Sequence, residues 1–219
     1  MVKIRRVIDL SNTIYPKLPG FPGLPDVEIN RLFSAAKDGF TLTELKLHTH
    51  AGTHMDAPLH FEENGKTLDQ FPLDHLIGEA ALINMTDKKE KEGITVADLK
   101  ERGKHIREGD IVVFHTGWYK KRGPGDLWQK NFPYLTKEAA EWLVKMKVKG
   151  VGVDTVALDM FGSPDYPAHH TLFKVDAFII EELTNLDKIA KDRFLIFIMP
   201  MNIPGVDAAP ARVASIEFE

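Results

Sequence analysis

Four of the nine histidines in this chain lie within thirteen residues, in the segment HTHAGTHMDAPLH at positions 48–60. The same segment contains Asp56, and a glycine and a proline interrupt it. Histidine is the commonest metal ligand in proteins, and its unperturbed pKa lies close to neutral pH. The segment could therefore bind a divalent cation, transfer protons to and from a substrate, or do both.

The spacing indicates how these side chains could meet. The residues that lead into the segment alternate in the manner of a β-strand, which puts His48 and His50 on one face. His54 and Asp56 are two residues apart and point the same way in an extended chain, and Pro58 argues against the alternative of a helical His-x3-His pair. Two imidazoles and one carboxylate that converge on one point are typical of a catalytic divalent metal site. Zinc fits this set best, and Mn²⁺ or Fe²⁺ would also accept it.

Composition limits what kind of protein carries this segment. Apolar residues make up 43% of the 219 residues and charged residues 27%, as in an ordinary globular protein. The net charge of -4 gives no indication of a nucleic-acid or membrane partner. The absence of cysteine excludes disulfides, thiolate ligands and a cysteine nucleophile. The sequence contains neither an apolar signal segment nor a run of about 18 apolar residues, so we expect a cytoplasmic protein.

The elements that must position these residues are short strands and two helices. Runs rich in β-branched and apolar residues predict strands at Lys3–Leu10, Phe40–Leu47, Glu79–Met85, Asp110–His115, Gly150–Val153, Ala177–Ile180 and Phe194–Met199. A capping-box pattern at Thr95 opens a predicted helix over Val96–Arg102, and Thr136 can cap a second over Lys137–Lys147. The order of strands and helices predicts an α/β fold with a mixed sheet, in one domain over residues 1–219.

The segment HAGTHMDAPLH resembles the His-x-Gly-Thr-His-x-Asp-x-Pro-x-His signature of the cyclase family. This family is a group of metal-dependent hydrolases that includes bacterial kynurenine formamidases and isatin hydrolases. Further stretches similar to family motifs are Val7-Ile-Asp-Leu-Ser11, His115-Thr-Gly-Trp118, Gly152-Val-Asp154-Thr155, the block from His169 to Leu186, and Pro210-Ala-Arg212-Val. The resemblance covers nearly the whole chain and implies a swivelling β/β/α fold that assembles as a homodimer or homotetramer.

The resemblance also implies which residues bind metal. The positions that match the family's ligands are His50, His54, Asp56, His169 and Glu181. Asp56 can bridge from a first ion to a second one, which the last two residues complete, so one or two ions are expected. The neighbouring His170 and Glu182 are the alternatives for that pair, and an arginine salt bridge is the alternative role for Glu181.

His60 matches the family's catalytic histidine, which acts as general acid and base rather than as a ligand. The kynurenine formamidases carry Trp-Pro-Gly-Asp in an early loop, whereas this chain has Phe21 in that region, so we assign Phe21 to substrate binding. The implied activity is hydrolysis of a small non-peptide amide by metal-activated water. An aryl formamide such as N-formylkynurenine is the first substrate, a cyclic amide like isatin is the second, and a non-catalytic metal-binding module is the remaining alternative.

Four further residues have two open roles each. Asp154 could orient a ligating imidazole or tie down its own turn, and Arg212 could anchor a substrate carboxylate or hold the closing strand. His115 could line the pocket or belong to the core. His48 could hydrogen-bond a metal ligand or face solvent.

Overall fold

The computed structural model describes residues 3–218. Its strands are β1 (Ile4–Asp9), β2 (Glu28–Phe33), β3 (Leu42–Lys46), β4 (His54–Asp56), β5 (Ile77–Asn84), β6 (Gly93–Ile94), β7 (Ile111–His115), β8 (Tyr134–Leu135), β9 (Gly150–Val153), β10 (Phe178–Glu181), β11 (Arg193–Pro200) and β12 (Ala208–Phe218). Its α-helices are α1 (Ala35–Asp38), α2 (Val96–Arg102), α3 (Asp126–Lys130), α4 (Lys137–Lys145) and α5 (Pro167–Phe173).

The main sheet is mixed and closes on itself. Its strand order is β1-β12-β11-β5-β7-β9-β10-β4. The neighbours from β5 to β10 run parallel, and the other pairs run antiparallel. The first residues of β12 also pair with β4, while its last residues pair with β1, so the strands from β12 round to β4 form a barrel. The α/β fold with a mixed sheet is confirmed.

Two apolar layers cover the two faces of the barrel wall. Along β7, Val113 packs with Ile180 and Ile196 in one cluster, whereas Val112 and Phe114 belong to a second cluster. The second cluster also contains apolar residues of α2, α4 and α5, so these helices cover the outer face. Parallel strands buried on both faces are hydrophobic without alternation, which explains the continuous apolar runs in the sequence.

The strand predicted at Phe40–Leu47 lies outside the main sheet. It is confirmed over Leu42–Lys46, but it pairs with β2 in a separate hairpin whose residues are all exposed. The strand alternation therefore does not extend to His48 and His50, which follow in a loop and a turn. A turn can still direct an imidazole towards the next strand, and this one does so for His50.

Both predicted helices are confirmed. Thr95 accepts a hydrogen bond from the Asp98 backbone N–H, and the Asp98 carboxylate accepts one from the Thr95 backbone N–H. The second helix ends at Lys145 rather than Lys147, because Lys147 adopts a left-handed conformation with φ 56°. Among residues 3–218, every helix is too short or too polar to cross a membrane.

Helix α5, which carries His169 and His170, is absent from the two helices predicted from the sequence. Pro167 occupies the first helical turn, where its missing N–H costs no hydrogen bond. The buried carboxylate of Asp159 accepts the backbone N–H groups of Ala168 and His169, at 2.9 and 3.0 Å. A carboxylate ten residues away in sequence therefore stabilises this helix start, and no local pattern reveals it.

Candidate metal centre and active site

Two neighbouring strands bring three of the expected ligands together. His54 and Asp56 lie at the two ends of β4 with their side chains on the same side. The antiparallel register with β10 puts Glu181 directly opposite His54. His54 Nε2 lies 3.3 Å from Asp56 Oδ1 and 3.5 Å from Glu181 Oε2, and all three residues are buried.

The other two imidazoles reach the same point from a turn and from a helix. His50, just ahead of β4, brings its Nδ1 to 2.9 Å from Asp56 Oδ1. His169, on α5, brings its Nε2 to 3.3 Å from Glu181 Oε1. The donor atoms of His50, His54 and Asp56 lie within 4.8 Å of one another, and so do those of Asp56, His169 and Glu181. The two groups share Asp56, as a bridging carboxylate would require.

Each of the three imidazoles contacts an oxygen through the ring nitrogen that faces away from the cluster. The outward contacts are His50 Nε2 to Asp207 at 2.8 Å, His54 Nδ1 to the Gly52 carbonyl at 2.7 Å, and His169 Nδ1 to Asp159 at 2.6 Å. A neutral imidazole that donates its N–H outward directs its remaining lone pair towards the cluster. Carboxylate and carbonyl acceptors behind ligating histidines are typical of metal sites.

The electrostatics of the cluster favour positive charge at its centre. Burial opposes protonation of the imidazoles, but the adjacent carboxylates outweigh it and raise the pKa of His50 to about 9 and of His169 to about 10. The pKa of His54 is raised well above its ordinary value for the same reason. Burial alone would raise the pKa values of Asp56 and Glu181, and the imidazoles lower both. The two buried carboxylates therefore attract cations.

Unpaired buried atoms test whether the residues fit a metal ion. Among the described residues, His54 Nε2 and both carboxylate oxygens of Asp56 are buried without a hydrogen-bond partner. Buried polar atoms without a partner cost free energy, and native proteins rarely leave them so. An ion bound at this point would satisfy all three. The combination of imidazole nitrogen and carboxylate oxygen fits zinc, and it also fits manganese.

His60 lies beside the cluster, as expected. It ends a short 3₁₀ turn, Pro58–His60, that directly follows β4. Its Nδ1 lies 3.3 Å from Asp207 Oδ2, and its ring centroid is 4.1 Å from that of His50. Its side chain is 30% exposed and lines a cavity, so it can meet a substrate next to the donor atoms.

Four of the five donors, all except Asp56, line a cavity of about 240 Å³. Apart from the donors and His60, the residues that line it are Phe21, Leu24, Phe61, Val156, Ala157, Tyr166 and Glu182. Phe21 lies in the wall with Phe161 behind it, at 5.6 Å between ring centroids. Phe61 lies 4.7 Å from the His169 ring and forms another apolar side. The cavity thus combines an apolar wall with a polar floor.

Side chains from a distant segment hold the loop that carries Phe21. Arg122 Nη2 donates to the Pro19 carbonyl at 3.0 Å, and Gln129 Nε2 donates to the Gly20 carbonyl at 2.8 Å. Arg122 Nη1 also lies 2.6 Å from the buried carboxylate of Glu182. Sequence reasoning missed both Arg122 and Gln129, because isolated polar residues about a hundred positions from Phe21 give no signal of this contact.

The structure separates the expected ligands from their alternatives. His169 lies in the cluster, whereas His170 directs its Nδ1 to Glu62 at 2.7 Å. Glu181 lies in the cluster, whereas its neighbour Glu182 pairs with an arginine. The arginine salt bridge considered for Glu181 therefore belongs to the next residue.

Asp154 and Arg212 have structural roles. Asp154 is buried and accepts hydrogen bonds from the backbone N–H groups of Thr116 and Gly117, at 3.0 and 2.7 Å, so it ties down the turn after β7. Arg212 pairs with Asp9 at 2.6 Å and holds β12 against β1. These contacts favour a structural role for each residue, although Asp154 ties down the turn after β7 rather than its own turn.

His48 and His115, the two other histidines with open roles, are not members of the donor groups. His115 is buried at the end of β7, with its ring 6.3 Å from that of Tyr119. His48 is partly buried between the loop of Phe21 and the β2–β3 hairpin, and burial lowers its pKa. Asp159 and Asp207, which the sequence predictions omitted, contact the donor-cluster imidazoles of His169 and His50.

Comparison with known proteins finds relatives that align with most of this chain. Residues 8–160 match the model of a family described as "Putative cyclase". A kynurenine formamidase of Erythrobacter litoralis is 33% identical over 210 residues, which cover 95% of this chain and 92% of that protein. A solved structure of a potential metal-dependent hydrolase with cyclase activity superposes with a TM-score of 0.82, at 30% identity and 98% coverage of both chains.

An isatin hydrolase bound to the product analogue thioisatinate has the same fold, with a TM-score of 0.89 at 25% identity over 98% of this chain and 93% of that chain. The family model covers well over half of this chain, and the relatives align with it almost end to end. This chain therefore belongs to the cyclase family of hydrolases.

Proposed function

We propose that this protein is a metal-dependent hydrolase of a small non-peptide amide, with an aryl formamide such as N-formylkynurenine as its first substrate. The observation that carries the proposal is the convergence of five donor side chains beside His60. The similarity to a kynurenine formamidase over 95% of the chain supports the choice of substrate.

The residues that would hold the metal are His50, His54, Asp56, His169 and Glu181. A divalent ion bound there would lower the pKa of water and polarise a substrate carbonyl. Zinc is the first choice and manganese the alternative. The sharing of Asp56 between two donor groups allows either one ion or two.

His60 would move the proton that the reaction has to transfer. Hydrolysis of an amide requires a proton to be taken from water and delivered to the leaving nitrogen. A half-exposed imidazole next to the donors and on the cavity wall suits this task. A positioned acid–base group of this kind contributes about 10²–10⁴-fold to the rate.

The cavity favours a small aromatic substrate. Its volume of about 240 Å³ is below the range of about 300–1,000 Å³ that is typical of drug-sized ligands. Phe21 and Phe61 contribute aromatic rings to its wall. An aryl group could pack against these rings while its formamide carbonyl meets the polar floor.

A cyclic amide is the second candidate substrate. The isatin hydrolase of the same fold supports it, with a TM-score of 0.89. Isatin is also a small aromatic molecule, and opening its ring is likewise cleavage of an amide C–N bond. Relative rates on the two substrates separate the candidates.

The test uses protein stripped of metal by a chelator, checked by elemental analysis and then reloaded with zinc or manganese. We expect turnover of N-formylkynurenine only after reloading, with a higher kcat/KM than for isatin. Faster opening of isatin would favour the second candidate. Full activity in protein shown to contain no metal would overturn the proposal.

A further inference from the structure

We infer that Asp207 is a positioning residue that orients both a metal-binding imidazole, His50, and the acid–base imidazole, His60. This inference rests on the proposed function, because it assigns those two histidines the roles given above. It concerns a residue that no signature motif includes and that precedes the last strand of the barrel.

One carboxylate oxygen of Asp207 contacts the imidazole rings of both His50 and His60. Asp207 Oδ2 lies 2.8 Å from His50 Nε2 and 3.3 Å from His60 Nδ1. The two rings lie side by side, with centroids 4.1 Å apart and planes inclined at 39°. The opposite nitrogen of His50 lies 2.9 Å from Asp56. Asp207 is thus in contact with the donor cluster through His50 and with the proton-transfer group through His60.

The sheet register fixes this carboxylate relative to the donors. Asp207 immediately precedes β12, whose first residue, Ala208, pairs with Asp56. The Asp207 carbonyl accepts the backbone N–H of Ala57 at 2.8 Å. The strand pairing that supports Asp56 therefore also positions the backbone of Asp207.

A carboxylate in this position determines which nitrogen of each ring carries the proton. A neutral imidazole has one N–H and one lone pair, and an acceptor behind the ring draws the N–H to its own side. For His50 this leaves the Nδ1 lone pair directed at the cluster. For His60 it leaves Nε2 as the nitrogen available to take a proton from water. Without Asp207, the half-exposed ring of His60 could rotate or adopt the other tautomer.

The experiment compares Asp207→Ala, which removes the acceptor, with Asp207→Asn, which keeps an acceptor oxygen but no charge. Metal affinity is measured by competition with a chelating indicator, and kcat is measured at saturating metal. We expect Asp207→Ala to weaken metal binding by about 10–100-fold and to lower kcat by about 100-fold or more. Asp207→Asn should recover most of the affinity and part of kcat.

A matched control loosens the same loop without touching either imidazole. Asp69 Oδ1 accepts the backbone N–H of Gly205 at 2.9 Å, two residues before Asp207. Asp69→Ala should lower thermal stability and leave metal affinity and kcat unchanged. If it reproduces the losses of Asp207→Ala, loop order rather than the Asp207 carboxylate is responsible, and the inference is overturned.

A double variant tests whether Asp207 acts on kcat through His60. Asp207→Ala/His60→Ala should be no slower than His60→Ala alone, because a residue that works through another adds nothing once that other residue is gone. Additive losses would overturn the inference, and so would wild-type values in Asp207→Ala. The affinity measurement needs no substrate. A wild-type protein that binds metal but hydrolyses no amide would refute the proposed function and still test the effect of Asp207 on His50.

Discussion

The donor cluster and the loop that carries Phe21 are built in contrasting ways. Three residues of the cluster, His54, Asp56 and Glu181, lie on paired strands of the barrel, where the register of β4 against β10 and β12 fixes them. The loop lies outside the main sheet and is held by side chains such as Arg122 and Gln129. Sites on strands are positioned more accurately than sites on loops, which vary more easily. From this contrast we propose that the barrel supplies the chemistry and that the loop selects the substrate.

This division fits the comparisons with known proteins. A kynurenine formamidase and an isatin hydrolase both align with this chain over nearly its full length, although their names give different substrates. Different substrates on one fold require different groups in the part of the site that contacts the substrate. The following variants test whether substitutions in the cluster and in the loop affect activity in separate ways.

The largest effect is expected in the cluster region, from His60→Ala. Removal of the acid–base group should lower kcat by about 10²–10⁴-fold while the metal content stays at the wild-type level. The matched control is His170→Ala, which removes a partly exposed imidazole that pairs with Glu62 instead. Steady-state kinetics with elemental analysis checks both variants. Equal turnover in His60→Ala and wild type would remove His60 from the mechanism.

An intermediate effect is expected where the loop is anchored. Arg122→Met leaves the buried carboxylate of Glu182 without its partner, which should lower the free energy of unfolding by about 3–5 kcal/mol. It should also raise KM, because the Pro19 carbonyl loses its donor. Denaturant unfolding and kinetics measure the two effects.

The double variant Arg122→Met/Glu182→Gln separates charge from loop anchoring. It should recover much of the lost stability, because no uncompensated charge remains, but it should keep the raised KM. If Arg122→Met alone is as stable as wild type, the ion pair contributes little to the stability of the fold.

The smallest effect is expected from Phe21→Ala. Loss of one aromatic side of the cavity should raise KM for an aryl formamide by about tenfold, with kcat nearly unchanged, since roughly 1.4 kcal/mol of apolar contact is removed. Hydrolysis of a formamide without a ring serves as the control and should not change. A fall in kcat with constant KM would place Phe21 in the chemical step and contradict the division between the two regions.

Local spacing predicted one half of the donor cluster. His50, His54 and Asp56 lie within seven residues, so one turn and one strand bring them together. His169 and Glu181 are more than a hundred residues further along. The pairing of β10 with β4 joins Glu181 to the first half, and α5 brings His169 to Glu181. Spacing could not reveal that pairing, and the family resemblance supplied these two residues instead.

The residues that support the donor cluster could not be predicted from the sequence. Asp159 and Asp207 are single carboxylates in loops, and nothing adjacent to them marks a contact with an imidazole. Helix α5 was missed because prolines near its start resemble a loop, while the carboxylate that stabilises it comes from elsewhere. The α/β fold was predictable because buried parallel strands leave long apolar runs.

The most direct test of the account is anomalous diffraction at the zinc absorption edge from crystals of zinc-loaded, active protein. The account predicts one or two peaks enclosed by the donor atoms of His50, His54, Asp56, His169 and Glu181. Active crystals with no peak among these atoms, or with their zinc bound elsewhere, would contradict it.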